Sequence, residues 1–128
     1  MKSIILLLLS CCLLNLNAQE IAIIPQPAEM KMSKTAGKFS LSPSTVIVLQ
    51  GTGLENSANF FNEYLQSFYG FTLNIVSESK TGNKIVLNLE KMEYPIPGAY
   101  HMEVKPGEIY IAGDNLNGTF YGIQTLIQ

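Results

Sequence analysis

Between Thr45 and the last residue, apolar and polar positions follow two different rhythms. Thr45 to Leu49 is a β-branched run that predicts a strand buried on both faces. Ala58, Phe61, Leu65 and Phe68 then recur at i, i+3, i+7 and i+10, the period of an amphipathic helix. Thr52-Gly53-Leu54-Glu55 reads as a capping box at its start, and Gly70 as the left-handed residue that ends it. The rhythm next switches to alternation. Phe71, Leu73 and Ile75 share one face of a predicted strand over 71–76, and Lys80-Thr81-Gly82-Asn83 forms a turn. Over 84–90, Ile85, Leu87 and Leu89 point inward while Lys84, Asn88 and Glu90 point outward. Tyr100 to Val104 and Glu108 to Ala112 are two further strands joined at Lys105-Pro106-Gly107. Glu93 to Gly98, with Pro95 and Pro97, is loop.

The closing stretch, Gly113 to Gln128, returns to the helical period. Leu116, Phe120, Ile123 and Ile127 fall on one face, and Asp114 or Asn115 caps the first turn. No glycine, asparagine or proline closes this helix, so its pattern reads as that of a chain that continues. Upstream of the first strand, Pro25-Gln26-Pro27 forces an extended entry. Glu29–Lys34 and Lys38–Ser42 make a small hairpin about Thr35-Ala36-Gly37. These elements predict an α+β domain: a single mixed or antiparallel sheet with two helices packed on one face.

Residues 1–18 stand apart. Lys2, the apolar run Ile4–Leu14 and Asn17-Ala18-Gln19 have the layout of a secretory signal peptide cleaved after Ala18, leaving a domain over 19–128. The expected location is extracytoplasmic, periplasmic or secreted. A second reading of Leu8-Leu9-Ser10-Cys11 makes Cys11 a lipoprotein attachment point. Cys11 and Cys12 are the only cysteines, so cleavage after Ala18 leaves no thiol for a disulfide or a metal site. The apolar run is too short for a stable membrane span. Past residue 18, seven lysines face ten acids, a net charge of −3, and the chain has no arginine. With no basic cluster to neutralise phosphates, nucleic-acid binding is not expected.

Candidate chemistry is sparse. His101, the only histidine, lies on the outward face of a strand beside Glu103; two ligands fall short of the three a catalytic zinc needs. Asp114, the only aspartate, sits where helix caps sit. No G-x-S-x-G is present to present a serine nucleophile. Gly113, Gly118 and Gly122 lack the spacing and the lysine of a phosphate loop; Gly118 and Gly122, at i and i+4, instead fit close helix–sheet packing. Asn117-Gly118-Thr119 matches a glycosylation sequon, but inside a packed helix it is not expected to be used. We assign no catalytic, cofactor-binding or metal-binding residue and expect no cofactor.

Several motifs together resemble a known family. Ile24-Pro25-Gln26-Pro27, a Tyr-x-Met-x-Val strand at Tyr100–Val104, Ile109-Tyr110-Ile111, and Gly118-Thr119-Phe120-Tyr121-Gly122-Ile123-Gln124-Thr125-Leu126 with Gln128 resemble the N-terminal domain of family 20 glycoside hydrolases. These are the secreted β-N-acetylhexosaminidases. The resemblance implies a zincin-like accessory fold without a zinc site, packed against a downstream (β/α)₈ barrel in cis. In the family the barrel carries an adjacent Asp-Glu pair. The Glu protonates the glycosidic oxygen, and the Asp orients the substrate's own acetamido nucleophile, an exception to the two-carboxylate scheme. An arginine also binds the sugar there. This chain has no arginine, and its single aspartate precedes Asn115, so none of those roles transfers. The expectation is an accessory domain, inactive alone, of an enzyme that removes terminal N-acetylhexosamine residues. The alternative is a stand-alone carbohydrate- or partner-binding module, with Tyr94, Tyr100 or Tyr110 stacking on N-acetylhexosamine-containing glycans.

Overall fold

The computed structural model describes residues 23, 26–33, 37–80, 82–93 and 96–128. The leader expected over 1–18 with Cys11 and Cys12, the Ile24-Pro25 start of the entry motif, Lys34-Thr35-Ala36 at the turn of the expected hairpin, and Tyr94 lie outside the described residues. The elements run β1 (Val46–Gln50), α1 (Glu55–Tyr69), β2 (Asn74–Val76), β3 (Lys84–Leu89), β4 (Tyr100–Lys105), β5 (Glu108–Gly113) and α2 (Leu116–Ile127). The strands form one sheet in the order β2-β1-β3-β5-β4. β1 pairs in parallel with β2 and β3, and β3 with β5; only β4 runs antiparallel, against β5. The sheet is therefore mixed, as expected for an α+β domain.

Register aligns the apolar positions in rows. Ile47, Ile85 and Ile109 form one row, and Leu49, Leu87, Ile111 and Met102 the next. Both helices lie on this face. Ala58, Phe61 and Leu65 of α1 and Ile123 of α2 join those rows in one core cluster. Val48, Val86 and Ala112, on the opposite face, are also buried, so β1, β3 and β5 read as near-continuous apolar runs.

The first helix starts differently from its sequence signature. Leu54, not Thr52, is the residue preceding it, and no side chain caps the first turn. Gly51 and Gly53 take positive φ, +154° and +85°, and swing the chain so that Leu54 is fully buried. Burying Leu54 removes about 1.5–3 kcal/mol of apolar surface cost, more than the ~1 kcal/mol a cap contributes. Phe68, counted in the apolar stripe, is 72% exposed, so the buried stripe of α1 ends at Leu65. Gly70 does close the helix, at φ +78°, donating its N–H to the carbonyls of Leu65 and Gln66.

Two strand expectations are corrected. β2 begins at Asn74 rather than Phe71, because the Asn62 side chain occupies both backbone groups of Leu73: Nδ2 donates to its carbonyl at 2.9 Å and Oδ1 accepts from its N–H at 2.8 Å. The hairpin expected over 29–42 contributes no strand among the described residues. Its contacts go elsewhere. Phe39 packs against the core, Gly37 lies against the Pro106 ring, and Ser42 Oγ accepts from Asn83 Nδ2 at 3.4 Å.

Candidate functional site

Helix α2 carries no charged residue along its length, although part of it faces solvent. Asn115 caps it, its side chain accepting from the Gly118 N–H at 3.0 Å. Asp114 does not cap. Its Oδ1 is buried beside Gly118 with no hydrogen-bond partner among the described residues. The buried stripe is Thr119, Gly122 and Ile123, not the one drawn through Leu116, which is 43% exposed. Glycine lets the helix approach this closely: a Cβ on Gly122 would overlap Ile111 Cγ2, and one on Gly118 would overlap the Ala99 carbonyl. Thr119 Oγ1 donates to the Asn88 carbonyl at 2.9 Å, tying α2 to the end of β3. That buried, committed Thr119 sits in the sequon Asn117-Gly118-Thr119.

Outside this contact, Phe120 stacks at a tilt on Phe60 of α1, with centroids 4.9 Å apart. Tyr121 is 46% exposed and lies over Gly98, whose φ of +85° and missing Cβ make room for the ring. A groove of about 630 Å³ opens here. Its walls are the rings of Phe60, Tyr100 and Tyr121, the side chains of Thr125 and Ile127, and the amides of Gln124 and Gln128. Aromatic rings and amides without charge are the composition of a protein-docking surface, where charged groups are depleted.

The opposite face of the sheet holds the titratable groups. His101 and Glu103 of β4 are exposed there; Glu103 pairs with Lys105 at 2.8 Å, and Lys84 with Glu108 at 3.2 Å. Tyr110 lies between Asn88, which donates to its hydroxyl at 2.7 Å, and Glu90, which accepts from it. Burial pushes the Tyr110 phenol above the ordinary tyrosine value. The hydrogen bond from Asn88 works against this, while the hydrogen bond to Glu90 and the charges of Glu90 and Glu108 add to it. Among the described residues, no group of three or more His, Cys, Asp or Glu is placed to hold a metal ion. No helix among them is long and apolar enough to cross a membrane.

Two of the three tyrosines proposed for sugar stacking, Tyr100 and Tyr110, are otherwise engaged. Tyr100 is half-buried, with its hydroxyl 2.6 Å from Thr125 Oγ1, and Tyr110 is half-buried in the network just described. Among the described residues the exposed rings are Tyr121, Phe68 and Tyr69. Sequence reasoning missed the last two, since Phe68 fits the helical stripe and Tyr69 adjoins the Gly70 stop.

Residues 20–128 match the family model described as glycosyl hydrolase family 20, domain 2. The chain is 26% identical over 133 residues to a beta-hexosaminidase of Porphyromonas gingivalis, covering 92% of this chain and 17% of that protein. It is similar in structure to the family 20 β-N-acetylhexosaminidase of Streptomyces coelicolor A3(2), with a TM-score of 0.64 and 23% identity over 81% of this chain and 20% of that one. The family 20 exo β-N-acetylglucosaminidase of Vibrio harveyi, solved with N-acetylglucosamine, gives a TM-score of 0.64 and 25% identity over 80% of this chain and 15% of that one. The chain thus spans less than a fifth of the curated relative it matches.

Proposed function

The chain belongs to the glycosyl hydrolase family 20 domain 2 family, and from that premise we propose that it is the accessory domain of a secreted β-N-acetylhexosaminidase. It works in cis beside a catalytic (β/α)₈ barrel, which hydrolyses terminal N-acetylhexosamine residues with its own Asp-Glu pair and the substrate's acetamido group. Its leader, cleaved after Ala18, sends the enzyme out of the cytoplasm.

One observation carries this reading: the uncharged outer face of α2 with its aromatic groove. A helix that ends in water normally shows charged residues there, whereas this one shows Leu116 and Tyr121. Asn117, Gln124 and Gln128 complete the exposed positions with uncharged amides, a surface depleted of charge as docking surfaces are, and a covering domain removes Leu116 and Tyr121 from water. The groove then seats side chains of the barrel, while Thr119 and the two glycines hold α2 rigidly on the sheet. The domain supplies support and geometry, and the barrel supplies the chemistry.

The test is hydrolysis of a chromogenic N-acetylglucosaminide. We expect no turnover by these 128 residues and clear turnover by the polypeptide that includes the barrel. Turnover by the 128-residue chain would show that a catalytic group has been overlooked.

A further inference from the structure

We propose that the C-terminal end of α1 is a stacking site for an uncharged glycan, with Tyr69 and Phe68 as its platform. Among the described aromatic residues these two are the most open, at 72% for Phe68 and 62% for Tyr69. They belong to a cluster of rings. Tyr64 and Phe68 have centroids 4.8 Å apart, Tyr64 and Tyr69 6.1 Å, and Tyr69 and Phe71 6.5 Å.

The cluster is held by devices that packing alone does not require. Gly70 takes φ +78°, and a Cβ there would meet nothing within 4 Å, so this glycine serves the turn and not a close approach. The turn brings Phe71 back beside Tyr69. Asn62 then clamps the next part of the chain through both backbone groups of Leu73. Rings fixed in this way lose little conformational entropy when a ligand arrives.

The surface beside the rings names the ligand class. A groove of about 530 Å³ runs along α1, lined by Asn59, Asn62, Glu63, Gln66, Ser67 and Thr72. Asn62, Gln66 and Tyr69 stand at i, i+4 and i+7, which puts Tyr69 on the same side of α1 as two of the lining residues. Amides, hydroxyls and one carboxylate offer donors and acceptors to a hydroxyl-rich ligand, and no cation lines the groove to attract an anion. A flat ring beside such groups suits the C–H face of a pyranose. Tyr100 and Tyr110, two of the tyrosines read as sugar binders from sequence, are engaged elsewhere, whereas Tyr69 and Phe68 are open. The rings are not those lining the α2 groove, so failure of either proposal leaves the other standing.

The probe is tetra-N-acetylchitotetraose, titrated into the full chain and followed by calorimetry and by NMR of the α1 amides. We expect saturable binding with a dissociation constant on the order of 1 mM, centred on residues 66–72. Tyr69→Ala and Phe68→Ala each weaken it about tenfold, while Tyr69→Phe and Tyr110→Phe leave it unchanged. Circular dichroism establishes that each variant is folded. Absence of saturable binding, shifts centred elsewhere, or equal affinity in Tyr69→Ala would overturn the proposal. So would sedimentation showing that the rings pair two copies of the chain and exclude the sugar.

Discussion

The hydroxyls of Tyr100 and Thr125 lie 2.6 Å apart and join edge strand β4 to a buried position near the end of α2. β4 has a neighbour on one side only, so this bond is one of the few that fix its start against the helix. Tyr100→Phe and Thr125→Val should each cost about 1 kcal/mol, and the double variant little more than either alone. Urea denaturation of the four proteins measures this; strict additivity would show that the bond contributes nothing.

The contact between Gly122 and Ile111 sets how close α2 sits. Gly122→Ala pushes a methyl group into Ile111 Cγ2, and we expect a loss of about 1–3 kcal/mol from overpacking. Gly70→Ala meets open space, yet should also destabilise, by about 1–2 kcal/mol, because alanine resists the left-handed conformation. Ile111→Ala, which removes Cγ2, should lessen the cost of Gly122→Ala and leave that of Gly70→Ala unchanged. Thermal unfolding of the glycine variants in both backgrounds separates packing from backbone strain.

Asn62 is the only side chain bonded to both backbone groups of Leu73 among the described residues. Asn62→Ala leaves both groups to water or to nothing, at a cost of about 1–3 kcal/mol. Amide exchange should quicken at Leu73, and a variant with unchanged exchange there would contradict the clamp.

Tyr110 gives the alkaline behaviour its sign. Burial and its acidic neighbours favour the neutral phenol in the folded state, so its folded pKa lies above the unfolded value near 10. The folded chain holds this proton where the unfolded chain has begun to release it. The contribution is therefore complete below pH 10 and is lost as pH rises through the folded pKa. Tyr110→Phe should flatten the fall in stability on that side, as read from denaturation midpoints across alkaline pH.

The alternation at Ile85, Leu87 and Leu89 and the spacing of Ala58, Phe61 and Leu65 announced their elements, because burial on one face leaves a period in the sequence. Strand direction left no such mark. The parallel pairing of β1 with β3 follows from crossovers, and alternation alone is equally consistent with antiparallel neighbours. Thr52 and Glu55 had the right spacing for a capping box, but burying Leu54 set the entry to α1. β2 came out short because a side chain eleven residues away claimed Leu73, a competition no local pattern records. The uncharged composition of Leu116–Gln128 was legible, and its meaning emerged once Leu116 and Tyr121 proved exposed. The Phe68–Tyr69 surface was hidden by its own spacing, which imitates a core stripe.

Oxidative footprinting of side chains tests the docking role of α2 most directly. Labelling is compared between the 128-residue chain and a polypeptide in which the domain is joined to the proposed catalytic barrel. Tyr121 and Leu116 should react readily in the first and be protected in the second, with Phe68 and Tyr69 labelled in both. Equal labelling of Tyr121 in the two proteins would contradict the assignment of α2 as the docking face.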